Sequence, residues 1–135
     1  MSIMKILTMA LNLASVLAGA ESFGAAAPGS TQTVSGGGVT VKVTYLAQTE
    51  HESRFSVVLD THSVNLDGYD LRALSVLRDD TGLSMQPTEV ENKGSGHHRE
   101  TILTFPRPAL DRKWLELVLK DIAGAKERTF RWNRE

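Results

Sequence analysis

From Val39 onward, apolar side chains recur at every second position: Val39, Val41, Val43 and Tyr45 alternate with Thr40, Lys42 and Thr44. Successive side chains of an extended chain point to opposite faces, so this alternation predicts a strand with one buried face. The same period marks Phe55, Val57 and Leu59 in "RFSVVLD" and Leu103 and Phe105 in "RETILTF". It returns at Leu115, Leu117 and Leu119 in "KWLELVLKD" and at Phe130 and Trp132 in "ERTFRW". "PRP" stops the "RETILTF" run, because proline cannot donate to a ladder. The glycine-containing "IAGAK" suits a hairpin between the last two strands.

The segment "THSVNLDGYDLRALSVLRDDTG" carries two periods at once. Leu71, Leu74 and Leu77 fit a helical turn, while Leu74 and Val76 fit a strand. We read an Asp67–Gly68 turn, a strand from about Ala73 to Arg78 and a closing turn at "DDTG". A weaker strand covers Ser84 to Glu91, where Pro87 argues for an edge position. About seven short strands, with no long helical pattern, predict an all-β fold: a single antiparallel immunoglobulin-like sandwich over residues 39–135. A small barrel is the alternative.

Ahead of that domain, Lys5 precedes an apolar run from Ile6 to Leu17 and the small residues Ala18, Gly19 and Ala20. This is the layout of a signal peptide over residues 1–20, with a second cut site after Ala27. The run is shorter than the roughly 20 residues a bilayer span needs, so no membrane span is expected after processing. Residues 21–38, ending in "PGSTQTVSGGG", read as a flexible linker. The expected location is therefore secreted or periplasmic.

With no cysteine, the domain has neither a disulfide nor a thiol nucleophile, and no lipidated cysteine can anchor it. Arg99, Arg107, Arg112, Arg128, Arg131 and Arg134 are interspersed with Glu100, Asp111, Glu116, Asp121, Glu127 and Glu135. That is a mixed solvated surface, and it excludes a basic stripe for nucleic acid.

"VVLDTHSVNLDGYDL", "VLRDDTG" and "GHHRETILTF" together carry a family likeness. The chain from about Phe55 to Trp132 resembles a group of uncharacterised exported bacterial and archaeal β-sandwich proteins with D-T-H-S…Y-D-L and G-H-H-R…L-x-F blocks. The resemblance implies an envelope or extracellular β-sandwich module and assigns no activity to it.

Candidate chemistry centres on the histidines. His62 follows the second predicted strand, and His97 and His98 precede the fifth. Those two strands are antiparallel neighbours in an immunoglobulin-like sandwich, so Asp60 and His62 should lie beside His97 and His98. Alternation places Asp60 and His98 on the outer face, with His62 beside them if the strand continues that far; His97 has inward parity and joins them if Gly94 and Gly96 bend the loop. Imidazoles and a carboxylate suit a Zn or Cu ion, although no C-x-x-C or H-E-x-x-H spacing is present. The competing reading is that these residues hydrogen-bond loop backbone.

A second candidate is an anion nest of the Gly94 and Gly96 amides beside Arg99. Asn65, Asp67, Asp70, Asp79 and Asp80 read as turn formers, since their spacing departs from a calcium-binding loop. His51 and Glu52 belong to a hairpin at the opposite end. Ser63 and His62, being adjacent in extended chain, point apart, and no G-x-S-x-G elbow exists, so the chain is not expected to be an enzyme. Trp132 has core parity; Trp114 is left for a sugar or a partner. Two functions remain: an exported module binding a transition metal through His62, His98, Asp60 and His97, or a structural module that pairs with an envelope protein through an exposed edge or face.

Overall fold

The computed structural model describes residues 29–134, so the signal peptide and the first part of the linker lie outside the described residues. Among the described residues no helix is long and apolar enough to cross a membrane. The described residues form nine strands: β1 (Thr31–Gly36), β2 (Val39–Gln48), β3 (Glu52–Thr61), β4 (Ser75–Asp79), β5 (Ser84–Met85), β6 (Glu89–Ser95), β7 (His98–Pro106), β8 (Trp114–Ile122) and β9 (Ala125–Asn133). They form two antiparallel sheets, ordered β1-β2-β3-β7-β6 and β5-β4-β8-β9. Without β1 and β5, these are the four-on-three sheets of the immunoglobulin fold.

Three departures from the sequence reading concern boundaries. The domain begins before Val39: Thr31–Gly36, expected to be linker, is paired residue for residue with β2 from Thr31↔Thr44 to Gly36↔Val39. Its polarity reflects a strand that gains backbone hydrogen bonds while leaving its side chains mostly exposed. The strand expected over Ser84 to Glu91 is two strands in different sheets, β5 beside β4 and β6 beside β7. The chain changes sheets around Pro87, which has no N–H for either ladder. Finally, both periods in "DLRALSVLRD" are real: Leu71–Leu74 is a single helical turn, α1, capped by Asp70, whose carboxylate accepts from Arg72 N at 3.0 Å, and β4 follows directly.

The alternating residues meet between the sheets. Val41, Val43, Phe55, Val57, Leu59, Leu103 and Phe105 from one sheet and Leu77, Leu117, Leu119 and Phe130 from the other are fully buried. Phe55 stands at the centre of an aromatic group, with ring centroids 4.8 Å from Tyr45, 5.1 Å from Trp132 and 5.8 Å from Phe105. Such tilted and edge-on contacts add to the area each ring buries.

Two acidic residues are held by local donors. Glu116, on the outer face of the second sheet, accepts from Arg78 Nε at 2.7 Å and from Arg131 Nε at 3.0 Å. Arg131 also lies 3.9 Å over the Trp114 ring. Asp79 accepts from the Thr81 amide at 2.9 Å and hydroxyl at 2.6 Å, and Arg112 Nε stands 3.0 Å from its second oxygen.

Burial pushes both carboxyls up, but the hydrogen bonds from Arg78 and Arg131, and from Thr81 with Arg112 nearby, outweigh it and hold both below their ordinary values of 4.5 and 3.8. A depressed folded-state value stabilises the fold above the unfolded value and stops doing so as pH falls through the folded one. The urea midpoint should therefore be flat from about pH 7 to about pH 5 and fall below about pH 4. Glu116→Gln should flatten part of that fall.

Candidate functional site

The end of the sandwich that carries the histidines is built from the β1–β2 turn, the β3–β4 connection, the β6–β7 turn and the β8–β9 turn. β3 and β7 are antiparallel neighbours, and their register sets Asp60 opposite His98 and Leu59 opposite Arg99. His98 Nδ1 meets Asp60 Oδ1 on the outer face. Both side chains are open to solvent, at 64% and 52% exposure, so water screens the pair.

His62, exposed and one residue beyond β3, lines a shallow pocket of about 190 Å³ with Gly38, Thr40, Asp60 and Thr61. His97, also exposed, lies in the β6–β7 turn, where its carbonyl accepts from Thr61 N at 3.0 Å. Among the described residues no group of three or more histidine, aspartate or glutamate side chains stands where it could hold a metal ion. The structure thus pairs Asp60 with His98, sets His62 at the same pocket as Asp60, and uses His97 through its backbone.

What this end of the molecule does bury is arginine. Arg99 shares inward parity with Thr101, Leu103 and Phe105 and is only 7% exposed. Its Nη1 donates to Leu66 O at 2.6 Å and Tyr69 O at 2.7 Å, and its Nη2 donates to Asn92 Oδ1 at 2.9 Å. The same Asn92 oxygen accepts from Thr101 Oγ1 at 2.8 Å. The guanidinium is a rigid fork of donors, so one side chain can tie two carbonyls of the β3–β4 connection to β6 and β7.

Backbone bonds complete the clasp: Leu66 N donates to Gly96 O at 2.9 Å, and Gly96 N donates to Asp67 Oδ1 at 2.7 Å. Tyr69 extends it to the second sheet, its hydroxyl accepting from Ala123 N at 2.9 Å. Arg128, 4% exposed, repeats the device on the other side, donating to Gly36 O at 2.8 Å and Ile122 O at 3.1 Å.

Close packing of turns enforces two glycines. A Cβ on Gly37, at φ +63°, would fall 2.2 Å from Ala123 O, and one on Gly94, at φ +75°, would fall 2.6 Å from His98 O. Both distances are impossible for a side-chain carbon, so these positions bring the backbones together.

The candidate anion nest is not a free site, because the Gly96 amide is committed to Asp67 and the Arg99 guanidinium to oxygens of its own chain. The acidic loop residues behave as turn formers: Asp67 N donates to Asn65 Oδ1 at 2.9 Å, and Lys113 N donates to Asp80 Oδ1 at 3.1 Å. Trp132, 3% exposed, packs in the core.

The two sequence blocks D-T-H-S…Y-D-L and G-H-H-R are therefore the two halves of one clasp, bonded through Thr61–His97, Leu66–Gly96, Asp67–Gly96 and Arg99. Compared with known protein families, with curated proteins and with solved structures, the chain matches none. Arginine bonded to main-chain oxygens cannot act as an acid or base at ordinary pH. Arg99 is thus a structural tie: it fixes a long connection between the sheets.

Replacing His98 by Ala is accordingly expected to cost less than about 1 kcal/mol, read as a shift in the urea midpoint. A loss several times larger would mean that the Asp60–His98 pair, rather than Arg99, closes the clasp.

Proposed function

We propose that this chain is an exported, non-catalytic β-sandwich module of the cell envelope that pairs with a protein partner along β6. One observation carries this reading: β6 is a seven-residue edge strand, bonded to β7 on one side, with six of its seven residues exposed. Unpaired N–H and C=O groups along such an edge are a template for another strand. The other edges offer less. β5 has two residues, and β1 and β9 close on each other through Gln32 Nε2 to Arg131 O at 2.7 Å and Arg128 Nη2 to Gly36 O at 2.8 Å. Export rests on the N-terminal pattern of Lys5, the apolar run and Ala18–Gly19–Ala20.

A photo-crosslinking residue placed at Lys93 in the full chain, expressed in cells, is expected to give a discrete protein adduct. The same residue at Lys126, on β9, is expected to give none. Adducts from Lys126 with none from Lys93 would overturn the reading.

Metal binding is the second reading, favoured by the Asp60–His98 contact beside the His62 pocket. A shell of so few side chains holds an ion weakly, so Zn²⁺ or Cu²⁺ at about 0.1 mM, far below the Kd of such a site, should leave the melting temperature unchanged within about 1 °C. A rise of several degrees that disappears in Asp60→Ala/His98→Ala would establish the metal site instead.

A further inference from the structure

We infer that the partner of β6 is a second copy of this chain, joined edge to edge about a two-fold axis through Asn92. The inference rests on the reading of β6 as the pairing edge and adds the identity and register of what pairs there.

The register of β6 with β7 puts Glu89, Glu91, Lys93 and Ser95 opposite Thr104, Ile102, Glu100 and His98. These four side chains share the outer face. Val90 packs against the core from the other face, and Asn92 spends its side-chain oxygen on Arg99 and Thr101. The ends of the strand are occupied: Arg72 Nη1 donates to Thr88 O at 3.4 Å, and Gly96 is bonded to Leu66 and Asp67. The open stretch is therefore the strand itself.

Among the described residues, Glu89, Glu91 and Lys93 enter no ion pair within the chain. Lys93 stands opposite Glu100 on β7, yet Glu100 instead accepts from Ser56 Oγ at 3.4 Å. None of the three is in a direct ion pair, although Arg54 and Arg72 share a cavity with Glu89 and Glu91, and charges of both signs on alternate edge positions fit a strand with the reverse pattern.

β6 itself has that pattern. When a sheet continues through a two-fold axis, each outer-face residue meets an outer-face residue of the second copy, and the axis must pass through one residue pair. Centred on Asn92, Glu91 stands opposite Lys93 of the second copy and Lys93 opposite its Glu91, while Glu89 faces its Ser95. Both close charge pairs are attractive and no like charges meet. Centring on Val90 sets Glu89 against Glu91 twice, and centring on Glu91 or Lys93 sets that charge against itself. Directly opposed like charges are destabilising in a ladder, which rules out those registers, and centring on Gly94 opposes no like charges but makes no Glu–Lys pair, so the two attractive pairs favour the Asn92 register. The two five-stranded sheets then become one continuous sheet.

The test uses the purified chain in sedimentation velocity from about 1 μM to about 1 mM, the range in which small interfaces associate. The wild type should form a concentration-dependent dimer. Glu91→Lys and Lys93→Glu should each weaken it about tenfold or more, since each turns two attractive pairs into two repulsive ones. The double exchange should restore it.

The decisive arm is a mixture. Glu91→Lys presents two lysines and Lys93→Glu two glutamates, so an equimolar mixture should form a heterodimer at concentrations where each alone is monomeric. All the substituted positions are exposed, and unchanged thermal melts confirm the fold of each variant. A wild type that stays monomeric to about 1 mM, a dimer indifferent to single exchanges, or a mixture that stays monomeric would overturn the inference. The Lys93 crosslink separates the two failures: an adduct with a different protein leaves edge pairing standing without self-pairing, and no adduct removes both.

Discussion

Replacing Arg99 by Met is expected to lower stability by about 3–5 kcal/mol, more than any change at the neighbouring histidines. Methionine keeps most of the side-chain volume and the apolar stem, so the loss isolates the guanidinium. Three oxygens, Leu66 O, Tyr69 O and Asn92 Oδ1, lose donors at 2.6, 2.7 and 2.9 Å. Hydrogen bonds to a charged donor contribute about 1.5–3 kcal/mol each, and acceptors left buried cost more than bonds never made. Relaxation of the connection between β3 and β4 toward water recovers part of this.

Arg99→Lys should retain only part of the stability, because an ammonium cannot span three acceptors as a planar fork can. Urea midpoints for the two variants check both statements. A loss below about 1 kcal/mol for Arg99→Met would show that the connection is held by Leu66–Gly96 and Asp67–Gly96 alone.

Phe55→Ala should cost a comparable 3–5 kcal/mol for a different reason. Phe55 has no exposed surface and touches three other aromatic rings drawn from both sheets. Truncation removes the transfer free energy of the ring and leaves a cavity that strands locked by their ladders on either side cannot close. Phe55→Leu should cost distinctly less, because it fills most of that volume. The contrast between the two variants, read from thermal or denaturant unfolding, separates cavity formation from loss of aromatic contacts. Equal losses would mean that the aromatic contacts, and not the volume, dominate.

Much of this molecule was legible in its sequence because strand alternation has a period of two and needs no knowledge of partners. The parity of Val41, Phe55, Leu103, Leu117 and Phe130 names the buried faces, and all five are fully buried. The same parity, carried two residues back from Thr101, makes Arg99 an inward residue. That signal is present in "HHRETILTF", next to histidines whose chemistry alone points to a metal. β1 was harder to see: "TQTVSG" leaves its side chains exposed and gains its stability from backbone bonds that any sequence can make. Pro87 marked an interruption, but a missing donor does not say that the chain leaves one sheet for the other.

Alternation, turn chemistry and the absence of cysteine by themselves determined the all-β class, the faces of the principal strands and the neighbourhood of Asp60 and His98. Only the tertiary structure decided what that neighbourhood is. Whether an imidazole meets an ion, water or a carbonyl depends on distances between segments more than thirty residues apart, as with Leu66 and Arg99. Those distances follow from how the connection between β3 and β4 crosses the end of the sandwich, which no local pattern encodes. A buried guanidinium must find acceptors, and here the crossing chain supplies them, so the arginine beside the histidines closes the fold.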